Sequence, residues 1–528
     1  MPESIFAVPA EKWKANANPE NDAAVVNALQ EIIATVKTDL FVLISTIDVY
    51  ELGNTSKHNE DTDSSSYMDK HHAYGKNRFL FEKFVMDKFP RHVILRLPAL
   101  HGPFLKKNYV YDLLNDNGVD RIKRNSCFQW YDLTRLNADI ETALAAGISV
   151  VNLFPEPVWT SDLIRIAEET GVVSTKVTEK IPQVVQGAAE IIYRVFTKHG
   201  QTYGAPSSLD FIYSAEESLS RLRRYFLTVL VEKKVVFSNI AWDWSDSKEN
   251  EPVLDALLHK YRIRQLEIAP TKIWGVDWAK VKEALTNGQA KAFGDRMRAM
   301  GFQVPSYQAI LYACPECQLV KDQEGTDNFI KHMKFIADLA AAITLDSPAG
   351  SKTRPPALVL GAPKNRLMFG QTVGECDAVA EKALRELGDY AWSKHVVIVM
   401  EANPPAYGCE YLNTATTAAA MVRKVDSPGF RLHVDLACMF LAEEDIAQVI
   451  EANKDIIYHI HISEPYLEAI GQNDKVPHGL FASLLKKHFL HSDVRYSIEM
   501  KNGEGNVQRV TAAADFVLKT YFGLESPL

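Results

Sequence analysis

The stretch "DIIYHIHISEPY" (455–466) sets His459 and His461 on alternate positions of a run that reads as a β-strand. Successive strand side chains point to opposite faces, so the two imidazoles share a face, about 6.6 Å apart along the chain. Such a pair suits a packed core, a pH switch or a metal site, and the surrounding pattern decides among them. Working outward, the chain from about residue 233 alternates apolar runs of strand length with longer segments of helical pattern. The runs are "KVVFSNIAW" (234–242), "RQLEIAP" (264–270), "FQVPSYQAILY" (302–312), "ALVLGAP" (357–363), "VVIVMEANP" (396–404), "FRLHVDLACM" (430–439), "IYHIHISEP" (457–465) and "RYSIEMKNG" (495–503). That alternation is the mark of a parallel α/β domain. Eight βα repeats in about 300 residues, with strands starting roughly 30 to 55 apart, fit a closed (β/α)8 TIM barrel better than an open sheet.

In a barrel of this kind chemistry sits where the strands run out at the C-terminal face. Four residues there stand out: Glu401, Asp435, His461 and Glu499. An unpaired charge in such a place costs several kcal/mol, so each needs a partner, and one divalent cation would satisfy all four. By strand spacing His461 reaches the mouth while His459 lies a layer deeper, and His433 stands to Asp435 in the same way. His459 and His433 therefore read as core residues or as groups that orient the ligands. A buried hydrogen-bonded network without metal is the competing reading of the set. Ligation rich in oxygen favours Mn2+ or Mg2+, with Co2+ or Zn2+ next.

These strands resemble the xylose-isomerase-like barrel superfamily over about residues 233–528; its members include sugar isomerases, ketose 3-epimerases, a dehydratase and metal-dependent AP endonucleases. In the epimerase-type members Glu, Asp, His and Glu from strands five to eight hold the metal, in the order of Glu401, Asp435, His461 and Glu499. "LVLGAPKNR" (358–366) also resembles the fourth-strand segment of that superfamily. The resemblance implies a metal-dependent sugar or sugar-phosphate isomerase or epimerase that moves a proton through a metal-stabilised cis-enediolate, with Glu401 and Glu499 as acid and base. A keto-polyol dehydratase or lyase is the nearest alternative; a binding protein with a vestigial metal site and an AP-endonuclease-like nuclease are further ones. The chain departs from the epimerases at Cys438, where they have His, and at Leu467, where they have Arg. Substrate contacts then fall to Asn403, Glu464, His478 and Lys501, with Glu267, Trp242 and Trp274 as pocket walls, each tryptophan reading equally as core, and with Lys364 and Arg366 as either a phosphate-holding pair or a solvated loop.

The first 230 or so residues are again α/β in texture. "DLFVLISTIDVY" (39–50) and "RHVILRLPALHGP" (91–103) read as buried parallel strands, with a helix, "YGKNRFLFEKFVMDKF" (74–89), between them. The sequence divides into domains at 1–231 and 232–528. The first part resembles the NAD-dependent epimerase/dehydratase family, extended short-chain dehydrogenases, in which Thr46 and Tyr74 match the catalytic pair and Arg78 stands in place of the lysine. The glycine-rich turn that a dinucleotide pyrophosphate needs after the first strand is absent. The resemblance therefore implies an incomplete Rossmann-like domain, a degenerate site at Thr46, Tyr74 and Arg78, and no NAD. A missing half-sheet leaves an edge strand to be covered either by the barrel or by another subunit, the latter making a homo-oligomer.

The 528 residues are 47% hydrophobic and 24% charged, an ordinary globular composition, with a net charge of −9 that disfavours a nucleic-acid partner. No long apolar run or leader segment stands out, so no membrane partner is expected and the cytoplasm is the expected location. Six cysteines make no disulfide framework. "CPEC" (314–317) reads as two ordinary thiols, because a structural zinc needs four ligands and no second pair stands nearby. The expected partner is a small carbohydrate or keto-polyol.

Overall fold

Strand residues that alternate between two apolar faces build the first sheet. The structure is a computed structural model and describes residues 5–51, 58–183, 191–344 and 354–525. The chain divides into two compact units, Met1–Phe226 and Leu227–Leu528, the division falling inside the helix Ala215–Lys234. In the first unit β1 (Ile5–Ala7), β2 (Phe41–Thr46), β3 (His92–Leu97) and β4 (Val150–Asn152) form a parallel sheet in that order. Phe41 and Leu43 of β2 pack with Phe81 and Val85 of α2 (Ala73–Lys88) and with Val26 and Ile33 of α1 (Pro19–Ala34). Val42, between them in sequence, packs instead with Ile140 and Ala143 of α3 (Leu136–Ala145). Both faces are thus covered, as a parallel sheet requires. Each such buried side chain is worth about 1.5–3 kcal/mol.

The second unit is a closed parallel barrel of eight strands. They are β5 (Val235–Ser238), β6 (Gln265–Ile268), β7 (Gln303–Tyr307), β8 (Ala357–Leu360), β9 (Val397–Glu401), β10 (Phe430–Asp435), β11 (Ile457–Ser463) and β12 (Arg495–Glu499). Pairing of Tyr496 with Val235 and of Ile498 with Phe237 closes the ring. Long helices cover its outside. The helix α4 (Gln323–Thr344) buries Phe329, Met333 and Ile336 at helical spacing. A capping box, Thr372 with Glu375, starts α5 (Val373–Ser393), whose Ala380, Leu384, Leu387 and Ala391 form its buried stripe. Among the described residues no helix is long and apolar enough to cross a membrane.

Each barrel run of the sequence becomes a strand, but the strands stop earlier than the runs. "LACM" after Asp435 is the start of a helix, α6 (Leu436–Leu441), for which Asp435 is the N-cap. "NIA" after Ser238 and "IDV" after Thr46 are single 3-10 turns. The apolar residues continue because these connections are themselves buried, so composition alone does not mark where pairing ends.

Candidate active site at the barrel mouth

Register brings the strand ends together. Glu401 is paired with His433, His433 with His459, Asp435 with His461, and Ser463 with Glu499. The Nδ1 atom of His461 lies 3.0 Å from Glu499 Oε2, 3.4 Å from Glu401 Oε1 and 3.7 Å from Asp435 Oδ2. All four side chains are buried. Asp435 is held by the Ser463 hydroxyl (2.7 Å) and the Cys438 backbone N–H (2.6 Å). Glu401 accepts from Asn403 Nδ2 at 3.2 Å, and Asn403 Oδ1 accepts in turn from Arg366 at 2.7 Å.

The electrostatics follow from burial and crowding. Burial raises Glu499 to about 7, with Glu401 and Asp435 reinforcing the shift and His461 opposing it. Burial and the neighbouring Glu401 also raise Asp435. For Glu401 burial is outweighed by His433 and His461, which hold it well below the usual carboxylate range. His461 is pushed well above its ordinary value, the surrounding Glu499 and Glu267 overcoming burial. A divalent cation fits this donor set on one structural observation. His461 Nδ1 is a buried nitrogen with no hydrogen bond, facing three carboxylates. A ring nitrogen and three oxygens so arranged can all act as donors to one metal.

The four groups floor a cavity of about 650 Å3. Its wall includes Asn403, Tyr407, Cys438, Leu467 and Lys364, together with the segment from Gln308 to Pro315. Cys438 and Leu467 both face the cavity. Gln308 was findable as the residue after a strand end, whereas Tyr407 sits in a connection that sequence pattern does not place.

Of the residues read as substrate contacts or pocket walls, Asn403 lines the cavity and six do not, each for a reason in its packing. Glu267 is fully buried beneath the mouth, accepting from His459 Nε2 (3.0 Å), His461 Nε2 (3.2 Å), Ser497 Oγ (3.0 Å) and Gln308 Nε2 (3.2 Å). Trp242 is core, packed on Phe237 and Trp244, with its indole N–H bonded to Asn250. Trp274 packs against Phe293. Glu464 and His478 are paired with each other at 3.1 Å, and His478 also meets the Tyr521 hydroxyl. Lys501 is half exposed on an ion pair with Glu468. Arg366 holds no phosphate: fully buried, it donates to the carbonyls of Gly361, Glu401, Tyr411 and Leu412 and to Asn403. His459 is the deeper residue of its pair, and burial depresses it to about 3.

Gly361 makes the carboxylate cradle possible. A Cβ there would stand 2.1 Å from Glu401 Oε2, well inside contact. Gly361→Ala should therefore displace Glu401 and weaken binding of Mn2+ at the mouth by about 10- to 100-fold, the range for disturbed ligand support. Isothermal titration with Mn2+ measures it; an unchanged affinity would show that Glu401 is not a ligand.

In the first unit Thr46 and Tyr74 adjoin, and burial followed by Asp48 raises the Tyr74 phenol. Arg78 is buried, ion-paired with Asp22 and bonded to the Pro9 carbonyl, its guanidinium 4.1 Å over the Tyr74 ring.

Residues 268–519 match the family model described as a xylose isomerase-like TIM barrel. Solved structures similar to this chain include D-psicose 3-epimerase from Clostridium cellulolyticum H10, 14% identical over 55% of this chain and 99% of that one, with a TM-score of 0.42. L-ribulose 3-epimerase is 15% identical over 55% and 94%, TM-score 0.42, and the IOLI protein with a binding zinc atom is 18% identical over 55% and 100%, TM-score 0.41. No curated protein matches the chain in sequence.

Proposed function

We propose that the barrel is a metal-dependent isomerase or epimerase of a ketose or keto-polyol, with Glu401, Asp435, His461 and Glu499 as metal ligands. The observation that carries this reading is the unbonded Nδ1 of His461 among three carboxylates at the floor of the cavity. A bound divalent cation would polarise the substrate carbonyl and offset the negative charge that develops on oxygen. Glu401 and Glu499 remove and return the proton on the neighbouring carbon, and the partly apolar wall keeps water from competing. Among the described residues Lys364 is the sole lysine or arginine in that wall, which favours an unphosphorylated sugar. Among the described residues His461 is also the sole histidine in that wall, which speaks against a multinuclear nuclease site.

For the first unit the same proposal assigns a scaffold without NAD. Arg78 is committed to Asp22, and a phenol raised by burial is a poor proton donor or acceptor near neutral pH.

The test is metal analysis of the purified chain followed by incubation with a panel of ketoses and keto-polyols in D2O. Deuterium should enter the carbon beside the carbonyl, and a chelator should abolish the exchange. Exchange with loss of water would make it a dehydratase. Bound metal with no exchange on any substrate would make it a binding protein and sink the proposal.

A further inference from the structure

A second set of side chains able to ligate a metal lies in and behind the cavity wall, in groups that the proton-transfer chemistry does not use. Cys314 and Cys317, on the segment after β7, meet His332 of α4, and all three are buried. Cys314 Sγ is 2.8 Å from Cys317 Sγ and 3.7 Å from His332 Nδ1. Glu316 Oε1 is 3.3 Å from the same sulfur. The decisive detail is the imidazole. His332 Nε2 lies 2.7 Å from the Ile310 carbonyl oxygen, an acceptor only, so Nε2 carries the proton and Nδ1 turns its lone pair toward the sulfurs. Trp278 stands edge-on to the ring at 4.6 Å and fixes its plane. A histidine tautomer set by a backbone carbonyl is how proteins aim a metal ligand.

We propose that Cys314, Cys317 and His332 hold a zinc ion, with the Glu316 carboxylate as fourth donor, and that this ion pins the cavity wall to α4. Two sulfurs, one imidazole nitrogen and one carboxylate oxygen suit tetrahedral zinc. Loading releases the two thiol protons to solvent and forms two Zn–S bonds. Zinc at about 2.3 Å from each sulfur sets the pair about 3.8 Å apart, so the thiols open by about 1 Å. The backbone is already held for this: Asn365 Nδ2 donates to the carbonyls of Cys314 (2.8 Å) and Cys317 (2.6 Å). The segment also carries two alanines in left-handed backbone, Ala309 (φ 51°) and Ala313 (φ 57°), a conformation that persists where surrounding contacts enforce it. A disulfide is the competing chemistry of a C-x-x-C pair, but it gives no part to His332 or Glu316.

The experiment uses the full chain produced in zinc-free medium supplemented with cobalt. Thiolate ligation gives a sulfur-to-cobalt charge-transfer absorption in the near ultraviolet, which the oxygen and nitrogen donors of the barrel mouth do not. The band is expected in the native chain and in a Glu401→Gln/Asp435→Asn variant, and should vanish in Cys314→Ser/Cys317→Ser. His332→Gln should keep the thiols but lower cobalt affinity at least tenfold. Cobalt bound without the band, a band that survives the double serine variant, or a Cys314–Cys317 disulfide in the unreduced native protein would each overturn the proposal. The native spectrum alone decides if the serine variant does not fold.

Discussion

Glu499→Gln and Glu401→Gln are each expected to lower turnover by about 10^3-fold, within the range for removing a general acid or base. The amide keeps the size of the carboxylate but cannot take a proton from carbon. Either change also removes one charged oxygen donor from around His461 Nδ1. The two effects separate experimentally. With Mn2+ at saturating concentration the loss from weakened ligation is restored, and what remains belongs to proton transfer. Single-turnover deuterium wash-in then assigns the faces. An epimerase that needs both groups should lose exchange from one epimer with Glu401→Gln and from the other with Glu499→Gln. Near-native turnover in either variant at saturating metal would remove that carboxylate from the chemistry.

Glu267→Ala should destabilise the barrel by about 3–5 kcal/mol, the usual cost of breaking a buried charged pair. The carboxylate is fully buried and receives hydrogen bonds from His459, His461, Ser497 and Gln308. Removing it leaves those donors unsatisfied, at about 1–3 kcal/mol for each that water does not reach. Burial alone would raise Glu267, but His461 and His459 outweigh it and keep the carboxyl well below its ordinary range. Urea unfolding followed by tryptophan fluorescence measures the loss as a lower midpoint. Glu267→Gln is the control for shape. It should fold, yet its amide releases the Nε2 proton of His461 from a charged acceptor and should cost about 10- to 100-fold in metal affinity. A midpoint unchanged by Glu267→Ala would mean that the buried histidines find other partners.

The barrel was legible because strand period and βα spacing are local properties, and the candidate ligands were legible because they stand at strand ends. Depth was not. Glu267 stands one residue before the end of β6 while Glu401 is the last of β9, and the register of β6 against β5 and β7 sets Glu267 below the mouth. Trp242 likewise stands past a strand end, but the turn after β5 folds its ring back among Phe237 and Trp244. Arg366 looked like a cation in a loop, and its engagement with backbone carbonyls from separate connections is a long-range fact that no window of sequence contains. His332 escaped for the same reason, since a helix carries it to the cysteines from a different part of the chain.

The buried Arg366 bears on how this barrel could be retuned. Because one guanidinium grips the backbone at Gly361, Glu401, Tyr411 and Leu412, those connections form a single clamp around Glu401. Leu467 and Tyr407 face the cavity; Cys438 does too, but its Sγ accepts from Asn403 Nδ2, the amide that also holds Glu401. A directed-evolution library confined to Leu467 and Tyr407 would vary the guest while leaving Arg366 and Asn403, which grip Glu401, in place.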